Sequence, residues 1–598
     1  MLFAAVLALY WGTLRYPLVF DDASLTEEFL RAYSESAFRL DLRRFAYASF
    51  GWTYAIAGMD LYWLRLGNVL LHAAAAVVLF GFATRLLGVL LPGADGRGVS
   101  AFGCAALFAL HPVAAYGTAY MMQRSIVMAT LFSLLALWLF LEGLLRGTRR
   151  WHAAAGVAFF IAVFSKEHCA MLPAVAVALA VLVRGPSSEL AREIAMPVAL
   201  LGAISLLALM MHRGLIGVAY EPFAQAAIAQ LAESRSGIPA PIQATGSPAA
   251  SLQAASMVNQ GWLFLRYVAT WALPWPGWMS IDLRPVFPAQ WLAWPQLAGF
   301  LLWLAWPAAT GWLLLQRGAR GIAGFALLAP WLFGITEFVT VRIAEPFVLY
   351  RSYLWMILLP LAPAALLAGA SVRLVLACVA AACALLVPAT LDRLGTFSSE
   401  RAVWDDAVRK ATDAAAPLAE RPLRFRGAAH FRAGDLDAAL RDFDRAIERN
   451  PSDGDNWLAR GTLHMRAGRS AEALADFDRA LRAEPRLADA LERRCIALMR
   501  LKRLDEALAN CGRALELAPH TALNHTSHGM ALALAGRVAE AESAYRRALA
   551  MAPSGADSHY QYGVLLAGTG RTGEARSHFG AACAAKHEPA CRRLAASR

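Results

Sequence analysis

Long apolar runs fill the first 400 residues of the chain, and they constrain its fold more than any other feature. After the opening run MLFAAVLALYWGTL, further apolar segments follow at roughly 61–91, 99–115, 125–145, 151–164, 169–184, 193–212, 291–316, 321–341, 353–370 and 373–391, about eleven in all. Inside a bilayer every backbone N–H and C=O must find a partner within the chain, and about 20 helical residues suffice to cross. The expectation is an all-α, polytopic membrane bundle of about 11 spans. The opening run lacks a basic leader and an A-x-A-like cleavage site, so it reads as a retained helix.

Charge divides the chain at the end of these runs. Residues 1–400 hold 44 Asp, Glu, Lys and Arg, and the remaining 198 residues hold 56, a rise from 11% to 28%. A membrane part is therefore followed by a soluble part. The net charge of +12 splits evenly, 25 basic minus 19 acidic in the first part and 31 minus 25 in the second. No basic block marks a nucleic-acid interface, and none is expected.

Arg85 with Arg97, Arg146 with Arg149 and Arg150, Arg184 with Arg192, Arg317 with Arg320, and Arg373 fall on one side if the N-terminus is cytoplasmic. Positive charge collects on the cytoplasmic side of short loops, so this orientation follows, and eleven spans leave the C-terminal part outside. The segment NQGWLFLRYVATWALPWPGW, 259–278, is apolar but rich in Trp and broken by Pro274; it reads as interfacial or re-entrant.

The soluble part repeats every 34 residues. Pro451, Pro485, Pro519 and Pro553 keep that interval, as do Gly434, Gly468, Gly536 and Gly570, with Lys502 in the missing slot. Ala439, Ala473, Ala507, Ala541 and Ala575 share the register, and so do Phe443, Phe477, Tyr545 and Phe579. This is the tetratricopeptide period: small residues let two helices approach, the aromatic fills between them, and Pro ends the second helix. The organisation expected is a membrane domain at 1–395, a connecting helix at 396–419, and an α-solenoid at 420–598 of about five repeats with a short tail. Such a solenoid offers a groove for proteins or peptides. In the third repeat Cys495 replaces the Gly of the others and Cys511 replaces the aromatic. The two either close a disulfide or stay as buried thiols; a disulfide agrees with an oxidising compartment.

With this topology Asp21 and Asp22, Arg43 and Arg44, His111, Gln123, Arg124, Lys166, Glu167, Asp282, Arg284, Glu345 and Arg351 all lie at one membrane face. Charge there is costly unless hydrated, paired or functional. Arg43 and Arg44 read as the wet face of an amphipathic helix. Cations converging with two carboxylates suit an anionic, membrane-borne substrate, the cations holding phosphate while a carboxylate takes a proton.

Seven stretches occur in an order seen in one family: VFDDAS (19–24), LGNVLLH (66–72), ALHPVAAYGTAYMMQRSIVMATLF (109–132), FSKEHCAMLP (164–173), RYVATWALPWPGWMSIDLRPVFP (266–288), EPFVLYRSYLW (345–355) and ERAVWDDAVRKA (400–411). The chain resembles, over nearly its whole length, the transmembrane and tetratricopeptide-repeat-containing O-mannosyltransferases and their bacterial relatives. The resemblance implies a GT-C membrane fold, a polyprenyl-phosphate sugar as donor, and inverting transfer to an acceptor hydroxyl. It places the acidic catalytic pair on Asp21 and Asp22, with His111, Gln123, Glu167 and Glu345 in supporting positions. Arg124, Lys166 and Arg351 are then the groups toward the donor phosphate. The tail pair Cys583 and Cys591 resembles the cysteines that staple Sel1-like repeats. Where relatives carry an acidic residue four positions after the Pro of the HP motif, this chain has Tyr116, so the sugar and any divalent metal stay open.

The function expected is O-glycosylation of an extracytoplasmic protein by an enzyme of a bacterial cytoplasmic (inner) membrane, the repeats binding the acceptor. Two rivals are a non-enzymatic scaffold for secretion, pilus or envelope-polysaccharide assembly, and a lipid-linked glycan ligase or polymerase.

Overall fold

The computed structural model describes residues 1–35, 40–211, 248–287, 293–338, 340–343, 345–411, 413 and 416–596. The ends of three expected apolar runs, at 212, 291–292 and 339, lie outside the described residues. Among those described the chain is helical throughout, with an isolated bridge between Leu283 and Phe347 and no strand. It divides into two compact units, Met1–Ala419 and Glu420–Arg598.

In the first unit seven helices are long and apolar enough to cross a membrane: Leu61–Leu90, Met121–Arg146, Glu167–Arg184, Ser188–Met211, Gln296–Leu315, Gly318–Phe338 and Val372–Ser398. Four expected spans are shorter. Leu2–Thr13 and Arg97–Ala109 are brief apolar helices, and Arg149–Val163 has 15 residues, about 22 Å at 1.5 Å per residue. The run 353–370 is two seven-residue helices, Leu349–Trp355 and Leu361–Leu367, rather than one span. Hydropathy did not register these interruptions because apolar residues continue across each break.

The segment read as interfacial belongs to a 25-residue helix, Pro248–Ala272, long enough to cross. It is not among the helices apolar enough to do so. Ser256 accepts from the Arg342 backbone N–H, and beyond the helix the Met279 carbonyl accepts from Arg393 and Lys410 at 2.6 Å each. Between them Ala272 and Leu273 lie beside Leu327 and Leu385.

In the second unit five helix pairs run from Arg421–Arg432 to Thr572–Ala584, followed by Glu588–Ala596. Four of the five pairs close on one contact that keeps the 34-residue register. A Cβ added to Gly427, Gly461, Gly529 or Gly563 would meet Phe443, Phe477, Tyr545 or Phe579 at 2.7, 2.6, 2.9 and 2.8 Å. In the third pair Cys495 and Cys511 are bonded, with Cα atoms 5.5 Å apart. A covalent bridge thus fills the place that an aromatic ring over a glycine fills elsewhere. Cys583 and Cys591 are also bonded and tie the last helix down. Lys502, in the glycine slot, sits at φ +61°.

Because the third pair lacks the ring, removing its bridge leaves a gap as well as a longer free chain. For a link spanning 16 positions the chain-entropy contribution alone is about 3 kcal/mol. Replacing both Cys495 and Cys511 by Ala is expected to raise hydrogen exchange sharply in Ala488–Arg500 and Leu504–Leu517. Reductant should do the same to the native protein and nothing further to the variant; equal protection in all four states would contradict this.

Candidate functional site

Charged residues of the first unit gather where its helices break. Lys166 and Glu167 lie between Arg149–Val163 and Leu172–Arg184, Gln123 and Arg124 at the start of Arg124–Arg146, and Glu345 and Arg351 after Gly318–Phe338. A helix end leaves backbone groups without intrahelical partners, so polar side chains concentrate there.

The acidic pair separates completely in role. Asp22 is fully buried, and its two oxygens accept from the backbone N–H groups of Met121 at 3.2 Å and Met122 at 2.7 Å. It caps the helix that begins there. Burial pushes its carboxyl up to about 7, against the pull of both N–H groups and of Arg65. That value would suit a general base, but both oxygens are committed to backbone and neither reaches solvent; geometry decides against it. Asp21 faces an open cavity of about 200 Å³ and accepts from the Tyr120 hydroxyl at 2.6 Å.

The same cavity is lined by Arg43, Tyr47, Met122, Gln123, Ser125, Lys166, His168, Arg342, Glu345, Tyr350 and Arg351. Of the residues expected from sequence, it brings together Asp21, Gln123, Lys166, Glu345 and Arg351. Glu167 supports it from behind, accepting from Arg43 at 3.2 Å with Lys166 at 3.9 Å. A second buried carboxylate, Glu337, holds three groups: His168 at 2.8 Å, Arg342 at 3.1 Å and Arg351 at 3.4 Å. Arg351 also meets Glu345 at 3.6 Å. Four cations, Arg43, Lys166, Arg342 and Arg351, thus face Asp21 across one space, which His168 also lines.

Arg124 does not belong to this set. It is buried, its Nε donates to the Asn68 side chain at 2.7 Å, a terminal nitrogen donates to the Leu64 carbonyl, and its guanidinium lies 3.6 Å over the Phe50 ring. A Cβ on Gly67 would meet Arg124 at 2.7 Å, which accounts for Gly67 in LGNVLLH. His111 is also elsewhere: stacked 4.1 Å over Trp271, it accepts from the Val113 N–H and meets the Trp271 carbonyl at 3.2 Å. Asp282 pairs locally with Arg284 at 2.7 Å. Tyr116 is buried with its hydroxyl 3.4 Å from Arg393, a guanidinium that Asp406 meets at 3.0 Å. The position at which this chain departs from the pattern therefore faces a structural ion pair and not the cavity. Among the described residues no group of three or more His, Cys, Asp or Glu is placed to hold a metal.

Sequence reasoning missed Glu337, His168 and Arg342 and misplaced Arg43. Glu337 had a signal: it is a lone carboxylate inside an apolar run, a position that requires a partner.

Chemically, the cavity can hold an anion on its cations with a carboxylate alongside. Burial lowers Lys166 to about 7; Arg43 and Arg351 push the same way, while Glu167 and Glu337 oppose. Anion binding favours the charged ammonium, so affinity is greatest below about 7 and falls as pH rises. For a phosphodiester anion, whose own charge is constant, calorimetry is expected to show roughly fivefold weaker binding at pH 8 than at pH 7. Lys166→Arg should flatten the profile; an unchanged slope would assign the proton elsewhere.

Models of the tetratricopeptide repeat match residues 420–463, 458–521 and 526–588. No curated protein matches the chain. Among solved structures it is similar to TTC0263, a thermophilic tetratricopeptide-repeat protein of Thermus thermophilus, at 25% identity over 30% of this chain and 98% of that one, TM-score 0.28. It is also similar to YrrB, described as a repeat protein with an unusual peptide-binding site, at 24% identity over 32% and 96%, TM-score 0.25. MamA from Desulfovibrio magneticus matches at 20% identity over 28% and 96%, TM-score 0.25. The second unit is a tetratricopeptide-repeat array.

Proposed function

We propose that the first unit is a GT-C-type glycosyltransferase that moves a sugar from a polyprenyl-phosphate donor to a hydroxyl of an extracytoplasmic protein. The observation that carries this reading is the cavity in which Asp21 faces Lys166, Arg351, Arg43 and Arg342. A hydroxyl attacking an anomeric carbon must lose its proton, and a carboxylate in hydrogen-bond reach takes it. The leaving phosphate gains charge as the bond breaks, and fixed cations stabilise that charge without reorganising. Asp21 is the base in this scheme. Lys166 and Arg351 keep the phosphate role expected from sequence, and Arg43 with Arg342 take the place given there to Arg124.

The repeat array serves as the acceptor-binding module, since tetratricopeptide repeats bind peptides or partner proteins. Orientation follows the arginine distribution, with the N-terminus cytoplasmic and the repeats outside. The two bonded cysteine pairs of the repeat unit agree with that compartment.

The test is glycoproteomics of envelope proteins in a deletion strain complemented with single variants. Asp21→Asn should reduce modified peptides by about 10²-fold or more at normal protein level. Asp22→Ala should instead lower the protein level, because two backbone N–H groups lose their acceptor at about 1–3 kcal/mol each. Full glycosylation with Asp21→Asn at normal abundance would favour a scaffold.

A further inference from the structure

The turn that presents Asp21 is held by a residue that the proposed chemistry does not use. Phe20, immediately before it, sits at φ +55°, a left-handed conformation that residues with a Cβ seldom adopt unless their surroundings enforce it. Its ring is packed on two sides. The ring stands edge-on to Trp404, with centroids 5.4 Å apart at 77°, and lies 5.9 Å from Tyr120, whose hydroxyl donates to Asp21.

Trp404 is a rigid support. It is fully buried, on the helix Glu400–Lys410. Ser399 caps that helix, its hydroxyl accepting from the Ala402 N–H at 3.1 Å. One turn further on, buried Asp406 meets Arg393 at 3.0 Å and Lys410 at 2.7 Å. Lys410 in turn donates to the carbonyls of Pro276 and Met279 at 2.8 and 2.6 Å. The helix is therefore clamped to the end of Val372–Gly395 and to the turn Pro276–Met279, while Trp404 reaches the acidic turn.

We infer that Trp404 is a positioning residue for Asp21, setting the place of its carboxylate through the Phe20 ring. The inference rests on the reading of Asp21 as the base, but its structural half stands without that reading. Trp404 does not line the cavity, so its loss removes neither a substrate contact nor a charge.

The experiment uses full-length protein in nanodiscs and the variants Trp404→Leu and Trp404→Phe. Hydrogen exchange across residues 19–25 should accelerate at least about tenfold in Trp404→Leu, while Leu61–Leu90 and Arg124–Arg146 keep their protection. With a synthetic short-chain polyprenyl-phosphate hexose as probe, turnover at saturating donor should fall about 100-fold with little change in KM, the cost of a misplaced reacting group. Trp404→Phe keeps a ring and should restore most of both. Unchanged exchange at 19–25, or unchanged turnover in Trp404→Leu, overturns the inference. If the native protein transfers nothing, the exchange arm still decides whether Trp404 holds the turn, and the enzymatic reading fails alone. Should Trp404→Leu not accumulate, Phe20→Leu removes the same contact from the other side.

Discussion

The carboxylate of Asp22 caps a helix that begins 99 residues later, and the rest of the site depends on that bond. Met121 and Met122 open a helix, and each buried N–H left there without an acceptor costs about 1–3 kcal/mol. By supplying both acceptors, Asp22 fixes the turn Phe20–Ser24 against the start of Met121–Arg146. Asp21, one residue earlier, is thereby turned into the cavity. One aspartate is spent on structure so that its neighbour has a defined place.

The cations follow the same logic. Glu167 and Glu337 are buried carboxylates that hold Arg43, Arg342, Arg351 and His168 in place before any ligand arrives. A set of cations without them would repel one another and swing into solvent. With them, the cavity's cations are held in fixed places, and burial lowers Lys166 to about 7 among them.

What was legible in the sequence depended on how local the signal was. The 34-residue register read the repeat unit down to the Gly-to-Cys and aromatic-to-Cys exchange at 495 and 511, because each repeat packs only on its neighbours. Apolar runs gave the all-α bundle, but not the break between Leu349–Trp355 and Leu361–Leu367, which leaves no mark in hydropathy. The ordered motifs pointed to Asp21, Lys166 and Arg351, which line the cavity, and also to Arg124 and His111, which lie outside it against Asn68 and Trp271. Spacing says that a charged residue sits at a helix break. It does not say on which side of the helix the side chain leaves, and that is the difference between Arg124 in the core and Arg43 in the cavity.

We propose that a lipid-linked phosphate sits in the cavity facing Asp21. Its most direct test is density for the full-length protein in nanodiscs containing a polyprenyl-phosphate sugar. Phosphate density is expected within hydrogen-bond distance of Lys166 and Arg351, with the sugar between it and Asp21. Phosphate density at another surface, with this cavity holding water or a protein segment, would contradict it.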